Sequence, residues 1–107
     1  MFDYNAKVVH IVDGDTMDVE VDVGFHMTAK VRVRLVGVDT PEVYGPNACE
    51  EGREASAFVK QLLPLGQEVL LMTQKAGKYG RWLAILVMPD GRCVNDILIE
   101  KGWEYTK

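Results

Sequence analysis

The hydrophobic and polar positions in the first third of the chain alternate with the period of two that is typical of β-strands. In residues 17–23, MDVEVDV, carboxylates occupy one face, and the opposite face is predicted to supply core residues: Val19, Val21 and Val23. In residues 30–38, KVRVRLVGV, the predicted core residues are Val31, Val33 and Leu35. Residues 7–12, KVVHIV, are rich in β-branched side chains, which favours a strand before the turn DGDT. The pattern predicts a meander of three strands, with GFHMTA joining the second to the third.

The periodicity changes after the loop that contains VYGPNA. Between Cys49 and Leu63 the apolar positions follow the spacing of an amphipathic helix, and Pro64 and Gly66 end it. QEVLLMTQ and RWLAILVM predict a fourth and a fifth strand, and PDGR has the composition of a turn. VNDILIEKG predicts a short second helix that stops at Gly102.

This order of elements favours one fold class. Five short strands with a helix between the third and the fourth, and a short helix after the fifth, are typical of an OB-fold, a five-stranded Greek-key barrel. The protein is therefore predicted to be mainly β (α+β), with residues 1–107 forming a single domain. Because a fold does not determine function, the candidate site has to be identified from its residues.

The charge of the chain is negative and unevenly distributed. The formal net charge is −4, and residues 1–22 alone hold six acids and one base, whereas the rest of the chain holds ten acids and eleven bases. A negative charge argues against sequence-independent adhesion to nucleic acid, which usually depends on clustered Lys and Arg. A metal ion held by some of the acids would lower the local negative charge.

The apolar content and the cysteines indicate a cellular setting. No apolar run approaches the roughly 18 residues that span a membrane, and the N-terminal residues lack the basic start and apolar core of a signal peptide. An intracellular, cytoplasmic protein is therefore expected. Cys49 and Cys93 have neither CxxC nor zinc-type spacing, so they are interpreted as unpaired thiols in a reducing compartment.

Three polar clusters lie where predicted strands meet loops: DGDT at residues 13–16, RLVGVDTPE at 34–42 and KYGR at 78–81. Strand ends on a rigid barrel are common positions for catalytic groups. Carboxylates are hard oxygen ligands for Mg²⁺ or Ca²⁺, and a few carboxylates with a backbone carbonyl and waters suit Ca²⁺ particularly well. Two arginines beside such a cation can clamp a phosphate, and a further carboxylate can orient a water. Together these groups are typical of metal-assisted phosphodiester hydrolysis.

Each cluster has a simpler interpretation when it is taken alone. DGDT can be an acidic turn, DTPE a proline-fixed turn, and KYGR a polar turn before a strand. Arg32 is interpreted as a solvent-exposed strand residue. The functional interpretation rests on the joint presence of all three clusters in a chain of 107 residues.

The second cluster contains a conflict of strand geometry. Strict alternation places Arg34 and Asp39 on opposite faces of one strand, so they can share a site only if the chain bends between them. Gly37 can supply that bend. We therefore expect Arg34 to point into the site, Asp39 to be turned round to share it, and Arg32 to point away.

With these clusters in this order, the sequence resembles the staphylococcal nuclease (thermonuclease) family from about Lys7 to Glu104. The shared motifs are IVDGDT, VRLVGVDTPE, GREASAFVK, KYGRWLA and VNDILIEKGW. The resemblance implies a Ca²⁺-dependent nuclease on an OB-fold that cleaves DNA or RNA and leaves 3′-phosphate ends. The rival hypothesis is a noncatalytic OB-fold module that binds nucleic acid or a protein partner.

Carried over by position, the resemblance implies three groups of site residues. The metal ligands are the side chains of Asp15 and Asp39 and the backbone carbonyl of Thr40. The catalytic residues are two arginines and the glutamate usually assigned as general base, namely Arg34, Arg81 and Glu42. The contacts to the terminal phosphate of a bound nucleotide come from Lys78 and Tyr79.

The sequence departs from longer family members after the second short helix. Relative to them it is expected to be a short variant that lacks the C-terminal helix, which helps to form the nucleotide pocket, and also lacks their basic surface. Apolar surface that the helix would cover favours a partner chain, so a homodimer is a further hypothesis.

Overall fold

A computed structural model of the chain describes residues 2–41, 49–76 and 81–104. The elements in these described ranges are five strands and two helices: β1 (Phe2–Asp13), β2 (Thr16–Gly24), β3 (Met27–Leu35), α1 (Glu50–Leu62), β4 (Glu68–Ala76), β5 (Arg81–Val87) and α2 (Val94–Glu100). The predicted order of elements is confirmed. The first helix matches its predicted bounds closely, since Cys49 and Leu63 are its two cap residues.

The five strands form a closed barrel in the order β1-β2-β3-β5-β4. β1 pairs with β2 and β4, β2 with β3, and β4 with β5, all antiparallel. β3 and β5 are parallel and pair only from Val33 with Trp82 to Leu35 with Ala84. This closed five-stranded barrel, with α1 between β3 and β4, confirms the predicted OB-fold class.

β1 begins at Phe2, before the predicted KVVHIV segment, because it has two partners. Its first half, from Phe2 to Lys7, pairs with β4, and its second half, from Ala6 to Asp13, pairs with β2. Two irregularities in the pairing with β2 mark bulges, which bend a strand locally. The long bent β1 closes the barrel.

Alternate residues of the strands fill the barrel, and the two helices contribute to the same core. The largest fully buried side chains come from all five strands, α2 and the C-cap of α1, and they include Met17, Leu35, Leu63, Leu71, Leu86 and Leu98. Val19 and Val21 are buried as predicted, but the prediction for Val23 is wrong, because its side chain is 45% exposed. Val23 lies near the tip of the β2–β3 hairpin. β5 pairs with β3 only at the other end of this hairpin, from Val33 to Leu35, so it does not cover Val23.

Two further observations concern the expectations from composition. In the part of the chain that the structure describes, no helix is long and apolar enough to cross a membrane. Cys49 and Cys93 are both free thiols and are partly buried, as expected for unpaired cysteines.

Candidate active site

The candidate site lies at the end of the β2–β3 ribbon where the β1–β2 turn meets the end of β3. Thr16, the first residue of β2, pairs with Arg34. The Leu35 N–H donates to the Asp15 carbonyl at 2.9 Å, and the Asp15 N–H donates to Asp13 Oδ1 at 3.3 Å. The first polar cluster, DGDT, is thus joined through backbone hydrogen bonds to the second.

Arg34 lies between two carboxylates. Its Nη2 is 3.6 Å from Asp15 Oδ2 and 3.4 Å from Asp39 Oδ1. The Arg34 side chain is 28% exposed, the Asp15 side chain 9% and the Asp39 side chain 54%, so the group reaches from the protein interior to solvent. A guanidinium held in this way is oriented, and a guanidinium has the planar set of N–H donors that recognises a phosphate.

The bend that brings Asp39 to Arg34 occurs where it was predicted. β3 ends at Leu35, and Gly37 has φ of +77°, a left-handed conformation that is unfavourable for residues with a Cβ. The Val36 N–H donates to the Ala84 carbonyl at 2.9 Å, and the Asp39 N–H donates to the Trp103 carbonyl at 2.9 Å. The chain therefore leaves the strand before Asp39, and the parity conflict between Arg34 and Asp39 does not arise.

Asp15 is a buried carboxylate with a perturbed pKa. Its pKa is raised from 3.8 to about 6, mainly by burial and then by the hydrogen bond and negative charge of Asp13, whereas hydrogen bonds from Thr16 and Thr40 act in the opposite direction. Those two bonds run from Thr16 Oγ1 to Asp15 Oδ1 at 2.9 Å and from the Thr40 N–H to Asp15 Oδ2 at 3.3 Å. Burial and Asp13 outweigh these two hydrogen bonds, so the site disfavours the negative charge of Asp15.

Thr40 and Gly14 are in close contact beneath the carboxylates. A Cβ at position 14 would lie 2.7 Å from Thr40 Cγ2 and 2.8 Å from Thr40 Oγ1, so only glycine fits there without displacing Thr40. Thr40 is 7% exposed, and its Oγ1 is buried without a hydrogen-bond partner among the described residues. Such a buried, unpaired hydroxyl is costly, and it is typical of a site whose polar contacts are completed by a ligand or by water.

Arg32 has a different carboxylate partner. Its Nε lies 2.9 Å from Asp18 Oδ1 and its Nη2 lies 3.3 Å from Asp18 Oδ2, and its side chain is 62% exposed. The register also places Lys30 opposite Glu20. Part of the acidic charge of the N-terminal segment is thus opposed by bases of β3.

The structure leaves part of the predicted site without a description. Glu42, Lys78 and Tyr79 lie outside the described residues. Arg81 is the first residue of β5, and its backbone pairs with Ala76 of β4. Leu83, two residues further along β5, pairs with Arg34 of β3. The Arg81 backbone therefore lies at the same end of the barrel as Arg34.

The donor set fits a hard divalent cation. Asp15 and Asp39 supply carboxylate oxygens on either side of one arginine nitrogen, and Thr40 follows Asp39 directly. Such oxygens are the ligands that Ca²⁺ and Mg²⁺ prefer. The raised pKa of Asp15 fits as well, because a cation beside the carboxylate would favour its charged form. In the described ranges no three His, Cys, Asp or Glu side chains converge, so carbonyl oxygens and waters would complete the shell.

Sequence reasoning did not single out two residues that shape the site. Gly14 is required for space beside Thr40, and its only sequence signal was its position between two aspartates in a turn. Asn95 of α2 is 3% exposed and donates to the Val36 carbonyl at 2.9 Å, but in sequence it is an ordinary polar residue of a short helix.

Comparison with known proteins gives a consistent result. A family model described as "Staphylococcal nuclease homologue" matches residues 32–106. The chain is 32% identical to an uncharacterized endonuclease of Escherichia coli O157:H7, over 96% of this chain and 62% of that protein. It is 42% identical to the thermonuclease of Staphylococcus hyicus (73% of this chain, 45% of that protein) and 34% identical to endonuclease YncB of Bacillus subtilis (92% and 46%). The chain thus spans less than two thirds of the length of these relatives.

Proposed function

The chain belongs to the staphylococcal nuclease family, and from this premise we propose that it is a Ca²⁺-dependent nuclease that hydrolyses phosphodiester bonds of DNA or RNA and leaves 3′-phosphate ends. The observation that carries the proposal is the position of one Arg34 nitrogen within 3.6 Å of Asp15 and 3.4 Å of Asp39. Relatives named endonuclease and thermonuclease support the reaction class.

In the proposed mechanism, Asp15, Asp39 and the Thr40 carbonyl hold the metal. When it is bound, Ca²⁺ supplies positive charge next to the phosphate, which offsets the negative charge that builds up during displacement. The raised pKa of Asp15 supports this assignment, because a buried carboxylate beside a second acid gains most from a cation.

The two arginines act on the phosphate. Arg34 and Arg81 donate hydrogen bonds to its non-bridging oxygens, and these bonds strengthen as charge accumulates in the transition state. The carboxylates beside Arg34 orient its guanidinium in advance, which lowers the cost of reaching the reactive geometry.

Water is the nucleophile in this mechanism. Glu42 orients a water molecule in line with the leaving 5′-oxygen and accepts its proton, and the new bond joins the water oxygen to phosphorus. The bond from phosphorus to the 5′-oxygen breaks and the leaving 5′-oxygen takes a proton from water, so the downstream fragment ends in a 5′-hydroxyl and the phosphate stays on the 3′-oxygen of the upstream fragment. Lys78 and Tyr79 hold the terminal phosphate of the bound nucleotide.

The test is a cleavage assay with end-labelled single-stranded DNA and RNA in Ca²⁺ or in EGTA. We expect Ca²⁺-dependent products whose 3′ ends a polymerase can extend only after phosphatase treatment. The Asp39→Asn variant should require much more Ca²⁺, because it loses a charged oxygen ligand. Binding without cleavage would contradict the proposal and support the noncatalytic module.

We also propose that residues 1–107 act as one domain. The homodimer stays a prediction of the sequence, and light scattering at high protein concentration would test it.

A further inference from the structure

The turn that carries Asp39 is held by α2 rather than by its own strand. Asn95, the second residue of α2, is 3% exposed. Its Nδ2 donates to the Val36 carbonyl at 2.9 Å and to the Ala84 carbonyl at 3.0 Å, and its Oδ1 accepts the Leu86 N–H at 3.1 Å. Because two carbonyls can only accept and an N–H can only donate, these partners fix the orientation of the amide.

The segment that follows α2 holds the other end of the same turn. The Trp103 carbonyl accepts the Asp39 N–H at 2.9 Å, and Val38 forms an antiparallel bridge with Glu104. The Trp103 ring packs against Phe58 of α1, with 5.7 Å between ring centroids. Ile99 Cδ1 lies only 3.6 Å from where a Cβ on Gly37 would be, so α2 also covers the middle of the turn.

Asn95 is a polar residue at a buried position of α2, where the other buried residues, Val94 and Leu98, are apolar. An apolar residue would pack at that position, but it would leave the Val36 carbonyl without this buried donor. Val36 is the first residue after β3, between Arg34 and the left-handed Gly37. The direction in which the chain leaves β3 therefore depends on the hydrogen bond from Asn95.

We propose that Asn95 is a positioning residue for Asp39: through the Val36 carbonyl it holds the turn that keeps the Asp39 carboxylate beside Arg34 and Asp15. The consequence for catalysis rests on the proposed function, but the positioning itself does not. Asn95 contacts neither Arg34 nor the two aspartates in the described hydrogen bonds, and it acts through the backbone.

The test compares three variants of the full chain. Asn95→Ala removes the hydrogen bonds. Ile99→Ala removes the contact with Gly37 and leaves Asn95 in place, so it serves if Asn95→Ala does not fold. Ile97→Ala is the matched control, because it truncates the same residue type on the same helix, about 200° around the helix axis from Ile99.

The first readout is hydrogen exchange of the Asp39 amide by NMR, with amides of the β1–β4 ladder as the reference for global unfolding. We expect Asn95→Ala and Ile99→Ala to raise the Asp39 exchange rate by about tenfold or more relative to the rate of the β1–β4 amides. Ile97→Ala should leave the ratio of these two rates unchanged. The second readout is the Ca²⁺ concentration for half-maximal cleavage, which should rise about 10- to 100-fold while KM for the oligonucleotide at saturating Ca²⁺ stays nearly constant.

The outcomes separate this inference from the proposed function. Equal changes in Asp39 exchange in all three variants would show a general loss of stability and would overturn the positioning role. An unchanged Ca²⁺ requirement in variants with faster Asp39 exchange would also overturn it. If the wild-type chain does not cleave in Ca²⁺, the proposed function fails, and the exchange ratios still decide whether Asn95 positions Asp39.

Discussion

The two ends of the β2–β3 ribbon differ sharply in how strongly they are constrained. At the site end, Thr16 pairs with Arg34, and the neighbouring Asp15 is 6% exposed. At the hairpin end, Gly24 pairs with Met27, and Phe25 is 94% exposed with a positive φ of 54°. The same alternating pattern runs along both strands. The difference comes from what the rest of the chain adds at one end only: the β1–β2 turn, the bend at Gly37 and α2.

The largest expected effect is a difference in turnover between variants of two arginines, Arg34 and Arg32, on the same face of β3. On the proposed mechanism, Arg34→Ala should reduce turnover by about 10²- to 10³-fold, because it would remove a preorganised donor to the phosphate. Arg32→Ala should leave turnover within about twofold of wild type, because the Arg32 side chain is 62% exposed and pairs with Asp18 rather than with Asp15 or Asp39. Steady-state cleavage of one oligonucleotide in saturating Ca²⁺ measures both. Equal losses in the two variants would show that charge along β3, rather than the position of Arg34, drives the reaction.

The next largest effect distinguishes two glycines at opposite ends of β2: Gly14, in the turn before the strand, and Gly24, its last residue. Gly14→Ala places a Cβ 2.7 Å from Thr40 Cγ2, and Thr40 is buried, so we expect a loss of about 1–3 kcal/mol in the free energy of unfolding. Cleavage should fall as well, because Thr40 donates to Asp15. Gly24→Ala meets no atom within 4 Å but has φ of +86°, so it should cost about 1 kcal/mol with normal cleavage. Urea unfolding and the cleavage assay distinguish the two.

The elements that were predicted correctly depend on local patterns, and those that were missed depend on distant partners. Alternation in β2 and β3 predicted the buried Val19 and Val33, and the glycine between Arg34 and Asp39 predicted the bend. The start of β1 was missed because Phe2 pairs with Thr73, far along the chain. Val23 was placed in the core because periodicity does not show where the barrel ends. The role of Asn95 depends on carbonyls of β5 and of the turn after β3, which no helical pattern reveals.

The third prediction concerns the pH dependence of the metal-free protein. Because the pKa of Asp15 rises from 3.8 to about 6 on folding, the folded state binds more protons between these values, and stability should fall as pH rises through this window. Asp15→Asn removes this titration, so above pH 6 the variant should be more stable than wild type, by about 1–2 kcal/mol after allowance for solvent screening and its weaker hydrogen bonds.

Urea unfolding in EDTA between pH 4 and pH 8 measures the difference in the free energy of unfolding between Asp15→Asn and wild type. This difference should shrink towards pH 4. Asp22→Asn, at the hairpin end of β2, controls for the loss of one acidic residue from the same acidic N-terminal segment. If Asp15 holds Ca²⁺ as proposed, added Ca²⁺ should reverse the order at pH 7, because it would bind the protein that keeps the Asp15 carboxylate more tightly than the variant. A variant that is less stable than wild type at every pH would show that the hydrogen bonds of Asp15 outweigh the cost of burying its charge.

The smallest effect is expected at the hairpin tip. Phe25 and His26 both have positive φ, 54° and 59°, where two-residue hairpin turns favour Asn-Gly. Replacing them together, Phe25→Asn with His26→Gly, should raise the free energy of unfolding by about 1 kcal/mol through relief of strain. Cleavage of a short oligonucleotide should not change, since the tip is a full strand length from Arg34. If cleavage of long substrates fell while that of short ones did not, the exposed Phe25 would be a contact for distant nucleotides, and the strain at this end would serve binding.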